Sequence, residues 1–412
     1  DSPIDKVARD RLSTVYMPGW KLTMLPDAVV QTYTLQEGRD CPAVSLYVTL
    51  NEENLAITGT QTVLERVWID RNLRHDQLDE VITEEVLLSS EIAPQPAIYM
   101  REQLSFLYRL ARHLKAQREV VRGKPETFNR HDYSFKLQCV DDAPQGDARV
   151  QISTRKRGSP LDLIVAEAMI LANSTWGAWM AELGVPGIYR SQASLAPGVK
   201  VRMGTKAQPH AGIGVKCYAW STSPLRRYTD LVNQWQIIAC ATHGKTAALA
   251  APFKPKDAAL FSIISGFDAA CSAYNQCEGG MERYWTLKYL QQQGITEVTA
   301  AVFKDNLVRA DTLPLVLPVM GAQGLARGAH VRVKLGDIDL LTLDVGGTVV
   351  ERLDVPLDAE VDEESGDEDE ALSAGPIAIA VDVNETEAAD GASATPAAPA
   401  APEMAASAQE QT

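Results

Sequence analysis

No stretch of this 412-residue chain is both long and continuously apolar. The richest, Leu161–Ala172, is broken by Asp162 and Glu167, which argues against a bilayer-spanning helix. Cysteine is sparse and unpaired. The six thiols (Cys41, Cys139, Cys217, Cys240, Cys271, Cys277) include no C-x-x-C and none stands at ligand spacing from a histidine, so no structural zinc site is expected. No charged-then-apolar secretory leader opens the chain, and with reduced thiols this predicts a cytoplasmic protein. Internal repeats are missing too. The first residue is Asp1 rather than Met, which predicts a processed or partial chain.

Lys and Arg are absent from Asp354 to Thr412, where 16 Asp and Glu fall. That tail accounts for the net charge of −15; the rest of the chain is close to neutral. A uniformly acidic body would repel phosphate, whereas a balanced one with basic clusters can bind nucleic acid. The tail's acidic run and Ala/Pro-rich end have no periodic apolar face, so residues 354–412 are expected to be disordered.

What is present reads as α+β. Ser2 and Pro3 predict a helix over 3–13, and Tyr16-Met17-Pro18-Gly19 a turn leading into an extended region. Alternation predicts strands at 44–50, 55–59 and 62–69. Helices are predicted at about 76–90 and 97–121, a strand pair at 133–140 and 148–154, then long helices at 159–183, 224–242 and 256–293. The Gly279-Gly280 pair should weaken or bend the last of these. Short strands with glycine turns over 297–353 predict a small β-barrel.

The stretch from Cys217 to Asp230 is the most informative. Ser223 followed by Pro224 predicts a helix start, where free amides form an anion site. Arg226 and Arg227 in the first turn oppose the helix dipole. Either they bind phosphate bidentately, with the Thr222 and Ser223 hydroxyls as further donors, or they pair with nearby carboxylates. Both readings are open on these residues alone.

Thr222-Ser223-Pro224-Leu225-Arg226-Arg227-Tyr228-Thr229-Asp230 resembles the T-S-P-[IL]-R-[RK]-Y-x-D motif of the ribonuclease II/R (RNB) exoribonucleases. Other segments are similar in the same order. They are Tyr16-Met17-Pro18-Gly19 with Met24-Leu25-Pro26, Leu163 to Met169 with Ala172-Asn173, Gly187-Ile188-Tyr189-Arg190, and Asn275, Glu278 and Met281 to Trp285. Together they span about residues 1–290.

The resemblance implies an RNB-type domain over 1–293, mixing sheet with long helices, then a small OB-type barrel over 297–353 and the disordered tail. It implies 3′→5′ hydrolysis of single-stranded RNA to nucleoside 5′-monophosphates. Arg226 would hold the phosphate near the scissile bond and Tyr16 would position the RNA 3′ end, the two catalytic-site assignments. Glu278, Thr222, Ser223, Arg227, Glu167 and Tyr189 would contact substrate. Basic residues Arg118, Arg122, Lys124 and Arg130, Arg155-Lys156-Arg157, and Lys200, Arg202 and Lys206 either line an RNA channel or form solvated faces. Phe128 lies near the position of a base-clamping aromatic. The barrel lacks the usual aromatic pattern, and its cations are Lys304, Arg309, Arg327, Arg332 and Lys334.

The sequence departs from the family in two places. Ala166 precedes Glu167 where the family has paired glutamates. The D-x5-D-x-D-D cluster that binds Mg2+ in the family precedes the Tyr16 turn and is not among these residues; Asp1, Asp5 and Asp10 lack its spacing. No metal ligand is therefore assigned, and the chain alone is expected to be inactive. An RNB-like RNA binder without catalysis and a helical interaction protein with no RNA role are the alternatives.

Overall fold

Caps and competing hydrogen bonds decide where each element begins. The computed structural model describes residues 2–74, 78–89, 100–126, 131–138, 148–304 and 306–353, with the Lys156 side chain excepted. Ser2 accepts the Asp5 N–H and starts helix α1 (Pro3–Arg11). A tight hairpin follows, β1 (Val15–Met17) with β2 (Trp20–Leu22), pairing Tyr16 with Lys21. Gly19 makes the turn at φ +74, and a Cβ there would strike the Leu137 side chain at 2.5 Å, so both conformation and space call for glycine. Helix α2 (Asp27–Tyr33) occupies part of the stretch expected to be extended. Two strands replace the three expected: β3 (Arg39–Leu50) and β4 (Ile57–Ile69) form one long antiparallel hairpin.

Within the span expected to be helical at 76–90, of which 76–77 and 90 lie outside the described residues, a turn over 79–82 precedes the short helix α3 (Glu84–Leu88). It precedes α4 (Arg101–Arg122), which ends on Gly123 in the left-handed region. β5 (His131–Gln138) pairs with β6 (Arg149–Lys156). Helix α5 (Pro160–Glu182) opens with a full capping box between Ser159 and Asp162, which satisfies two otherwise orphan amides. β7 (Tyr189–Ser191) and β8 (Arg202–Gly204) make a short pair.

Helix α6 runs Tyr228–His243, four residues later than the Ser223-Pro224 signal suggested. The cause is competition for the backbone. Thr14 N–H donates to Arg226 O at 2.9 Å, Tyr228 N–H to Leu12 O at 2.8 Å, and Ser13 bridges Arg227. Residues 223–227 are held as a turn, with Arg227 extended at φ −129. Arg226 and Arg227 therefore precede the helix instead of filling its first turn. The short helix α7 (Ala247–Ala250) leads to α8 (Ala258–Gln293), 36 residues without a break.

The Gly279-Gly280 pair does not interrupt α8. Gly280 lies where the barrel docks: a Cβ there would touch Leu343 Cδ1 at 4.0 Å. Arg283 one turn later donates to the Leu343 and Val316 carbonyls. The barrel is β9 (Glu297–Lys304), β10 (Leu307–Ala310), β11 (Val316–Met320), β12 (His330–Asp339) and β13 (Asp344–Leu353). It closes in the order β9-β10-β11-β13-β12, antiparallel except at β11–β13, an OB-type arrangement. Leu287 and Leu290 of α8 are fully buried in its core.

The acidic tail, Phe128, Arg130 and Cys139 lie outside the described residues. Among the described residues no helix is long and apolar enough to cross a membrane.

Candidate functional site

Helices α1, α6 and α8 share one apolar cluster, in which Ala8, Tyr228, Val232, Leu260 and Ile263 meet. A polar knot fixes α1 to the start of α6: the Tyr228 hydroxyl donates to Asp5 at 2.6 Å, and Arg9 donates to both Tyr228 and Asp5. The bridge at Ser13 then sets the β1–β2 hairpin against the 222–227 turn. On its other side Tyr274 of α8 donates to Arg11 O at 2.8 Å, and Tyr16 N–H donates to Glu278 Oε1 at 2.7 Å. Three segments far apart in sequence, carrying Tyr16, Arg226 and Glu278, are thereby joined. Tyr16 stands 36% exposed. Burial pushes the Glu278 carboxyl above the usual glutamate range, and the Tyr16 N–H partly offsets this.

The 218–227 segment is pinned from every side. Asn233 donates to the carbonyls of Ile188 and Trp220, Gln234 to that of Ser221, and Asp230 accepts the Ser223 N–H at 3.0 Å. Two guanidiniums pack on the Trp220 indole, Arg190 at 3.9 Å and Arg227 at 4.1 Å from the ring. Such stacking is worth more when desolvated, and both arginines are buried. Burial lowers Arg190 to about 10, which leaves it charged at neutral pH. What remains half-exposed on the turn is a run of donors. The Thr222 hydroxyl accepts from Asn173, the Ser223 hydroxyl accepts the Arg226 guanidinium at 3.0 Å, and their own protons are left to donate. A guanidinium bonded to one hydroxyl, with a second hydroxyl on the same turn, suits a phosphate.

Other expected site residues have different work. Arg227 is buried and held by both Asp230 oxygens, at 2.9 and 2.8 Å; of the two readings of that arginine, carboxylate pairing is the one observed. Tyr189 is 2% exposed and its hydroxyl donates to Gly177 O, so its ring is not open to a ligand. Glu167 is buried with both carboxylate oxygens on Arg118, which also holds Glu126. Burial works against charge on Arg118, but the bonds to Glu167 hold its pKa above the usual range. Glu167 is thus occupied as a structural partner instead of facing substrate.

The basic clusters divide likewise. Arg118 is internal. Arg155 is neutralised by Asp79, Asp132 and Asp162, and Arg157 by Asp132. Arg122 donates to the carbonyls of Lys124 and Pro125. Lys200, Arg202 and Lys206 are exposed. The barrel carries an aromatic that the sequence pattern did not suggest as a site, Phe303, with Arg309 and Arg327 at 4.6 and 5.7 Å from its ring.

Sequence reasoning gave no role to Asn173, Asp230 or Asn233. The available signal was a polar residue within an otherwise apolar helical stripe, which must find partners when buried. Among the described residues no three His, Cys, Asp or Glu side chains converge as a metal cage. Asp5 is committed to Tyr228 and Arg9. These residues do not fit a Mg2+ centre.

The profile of the RNB domain matches residues 1–198 and 199–243. An uncharacterised ribonuclease of Synechocystis is 26% identical over 341 residues, 76% of this chain and 46% of that protein. Exoribonuclease 2 of Vibrio parahaemolyticus is 22% identical over 285 residues, 57% of this chain and 41% of that protein. Mycoplasma genitalium RNase R, solved with ribose-methylated single-stranded RNA, superposes with a TM-score of 0.67 at 14% identity, over 85% of this chain and 64% of that one. The Candida glabrata Dss1 exoribonuclease gives 0.66 at 21% identity, over 85% and 48%. These superpositions show the shared fold. The chain spans about half the length of the curated relatives it matches.

Proposed function

We propose that this chain, which belongs to the RNB-domain family, is the RNA-gripping part of a 3′→5′ exoribonuclease acting on single-stranded RNA. On this reading the chain divides into an RNB portion over 1–293, an OB-type barrel over 297–353 and an acidic tail over 354–412. The observation that carries the reading is the 2.9 Å bond from Thr14 N–H to Arg226 O, which fastens the Tyr16 hairpin to the donor turn.

In this role Arg226 holds a phosphate and offsets charge developing on it during hydrolysis. Thr222 and Ser223 donate to the same group. The exposed Tyr16 ring stacks on the terminal base or ribose, and Glu278 fixes the hairpin that carries it. The relatives' family chemistry uses a divalent metal, and the described carboxylates do not form a cage for one. That mismatch favours a second reading, RNA binding without hydrolysis by these residues alone.

Labelled oligoadenylate and the purified chain test both readings. Weak, salt-sensitive binding without mononucleotide release, even with added Mg2+ or Mn2+, is expected. Release that EDTA abolishes would show that these residues suffice for hydrolysis. In a protein that hydrolyses RNA and contains this chain, Arg226→Ala is expected to lower turnover far more than affinity, because affinity is spread over many phosphates. Arg226→Lys should not restore it fully, since the bidentate fork is lost. Equal losses would reassign Arg226 to general phosphate tracking, and no loss of either would overturn the reading.

A further inference from the structure

Asn173 lies on helix α5 with 1% of its surface exposed, where an unpartnered amide would cost a few kcal/mol, roughly. Its side chain is spent on one segment, residues 218–222. Oδ1 accepts the Ser221 N–H at 2.9 Å and the Ser221 hydroxyl at 3.1 Å. Nδ2 lies 3.3 Å from the Tyr218 hydroxyl and 3.3 Å from Thr222 Oγ1. The amide cannot be turned round. A backbone N–H only donates, so the amide oxygen must face Ser221, and the NH2 group must therefore face Thr222. The Asn173 carbonyl also accepts the Ala219 N–H at 3.3 Å.

The consequence falls on Thr222. Its oxygen is an acceptor toward Asn173, so its own proton must go elsewhere. The residue is half-buried at the surface of the donor turn, and among the described residues no acceptor takes that proton. The next residue along the same turn, Ser223, reaches the same state by accepting from Arg226.

We propose that Asn173 is a positioning residue: it occupies the acceptor side of the Thr222 hydroxyl and leaves Thr222 to donate to a non-bridging phosphate oxygen of RNA held at Arg226. Asn173 itself does not touch the RNA. The inference rests on the phosphate-binding reading of the 222–226 turn, and the experiment keeps the two separable.

The test is a double-mutant cycle on the full chain, reading affinity for fluorescein-labelled oligoadenylate and melting temperature together. Asn173→Asp keeps the shape but cannot donate to Thr222, so the hydroxyl turns inward to the new carboxylate. Through-space repulsion from the added charge acts with or without the hydroxyl and cancels in the cycle. Asn173→Asp is expected to cost about tenfold more affinity in the parent than in the Thr222→Val background, the scale of one hydrogen bond to a charged group. Thr222→Ser should bind as the parent does. Equal losses in both backgrounds overturn the proposal.

If Asn173→Asp does not fold, Thr222→Val alone still decides. Parental affinity at an unchanged melting temperature would sink the idea, and a loss of about tenfold restored by Thr222→Ser would support it. Arg226→Ala separates the levels. If it changes neither affinity nor, in an RNA-hydrolysing protein that contains this chain, turnover, the phosphate reading has failed; if it lowers either while Thr222→Val leaves affinity at the parental level, only the Asn173 proposal has failed.

Discussion

The main-chain N–H of Tyr16 donates to Oε1 of Glu278 across 2.7 Å, joining residues 262 positions apart. The bond makes the hairpin's orientation a property of α8, so a tyrosine on a three-residue strand is placed by a long helix.

Glu278→Gln tests the charge in that bond. A glutamine oxygen still accepts the Tyr16 N–H, while the half-buried charge is removed. Because burial raises the folded-state pKa above the ordinary 4.5, the folded protein holds this proton more tightly than the unfolded chain does. The group's contribution to stability is present at low pH and is lost as pH rises above 4.5. The variant is therefore expected to be at least as stable as the parent at neutral pH, with the difference closing toward pH 4.5. Urea midpoints at both pH values check this. A clear loss at neutral pH would mean the ionised form is stabilising.

Glu167→Gln is expected to destabilise the chain by about 3 kcal/mol, because it breaks a buried pair and leaves Arg118 with Glu126 as its remaining carboxylate partner. Chemical denaturation measures it. Lost RNA affinity at unchanged stability would instead make Glu167 a substrate contact.

His210 is buried and neutral, with Nδ1 accepting the Ile213 N–H. Burial first, and Arg190 second, push its pKa down from 6.5 to about 4. A base with a depressed folded pKa stabilises above its unfolded pKa, so stability is expected to fall as pH drops from 6.5 toward 4. His210→Gln should flatten that part of the curve. An unchanged slope would place the acid sensitivity elsewhere.

Truncation after Leu357 removes nearly all of the acidic tail. It is expected to leave the melting temperature unchanged and to tighten RNA binding at low salt, with the gain fading as salt rises. A melting temperature lower by several degrees would show that the tail packs on the body, and unchanged low-salt affinity would remove the shielding idea.

Local signals were legible in the sequence and long-range competition was not. Ser159 and Pro160 mark the start of α5 because a capping box involves four adjacent residues. Ser223 and Pro224 carry a similar signal, yet the helix starts at Tyr228, since Leu12 to Thr14 take the backbone groups of 226–228. Arg155 and Arg157 read as a basic patch because their neutralising partners Asp79 and Asp132 stand far away in sequence. The motif order pointed to Tyr16, Arg226 and Glu278, which the fold joins. Tyr189, Glu167 and Arg227 belong to the same motifs but serve the interior, a distinction made by burial alone.

Helix α8 reaches from the hairpin to the barrel. Tyr274 and Glu278 hold its middle and Leu287 and Leu290 are sunk in the barrel near its C-terminal end, some 24 Å apart from Tyr274 to Leu290 at about 1.5 Å per residue. An unbroken helix of that length transmits rotation with little loss, whereas a hinge at the glycine pair would have absorbed it. The barrel and the Tyr16 hairpin are therefore fastened to one continuous helix, with no hinge between their points of attachment.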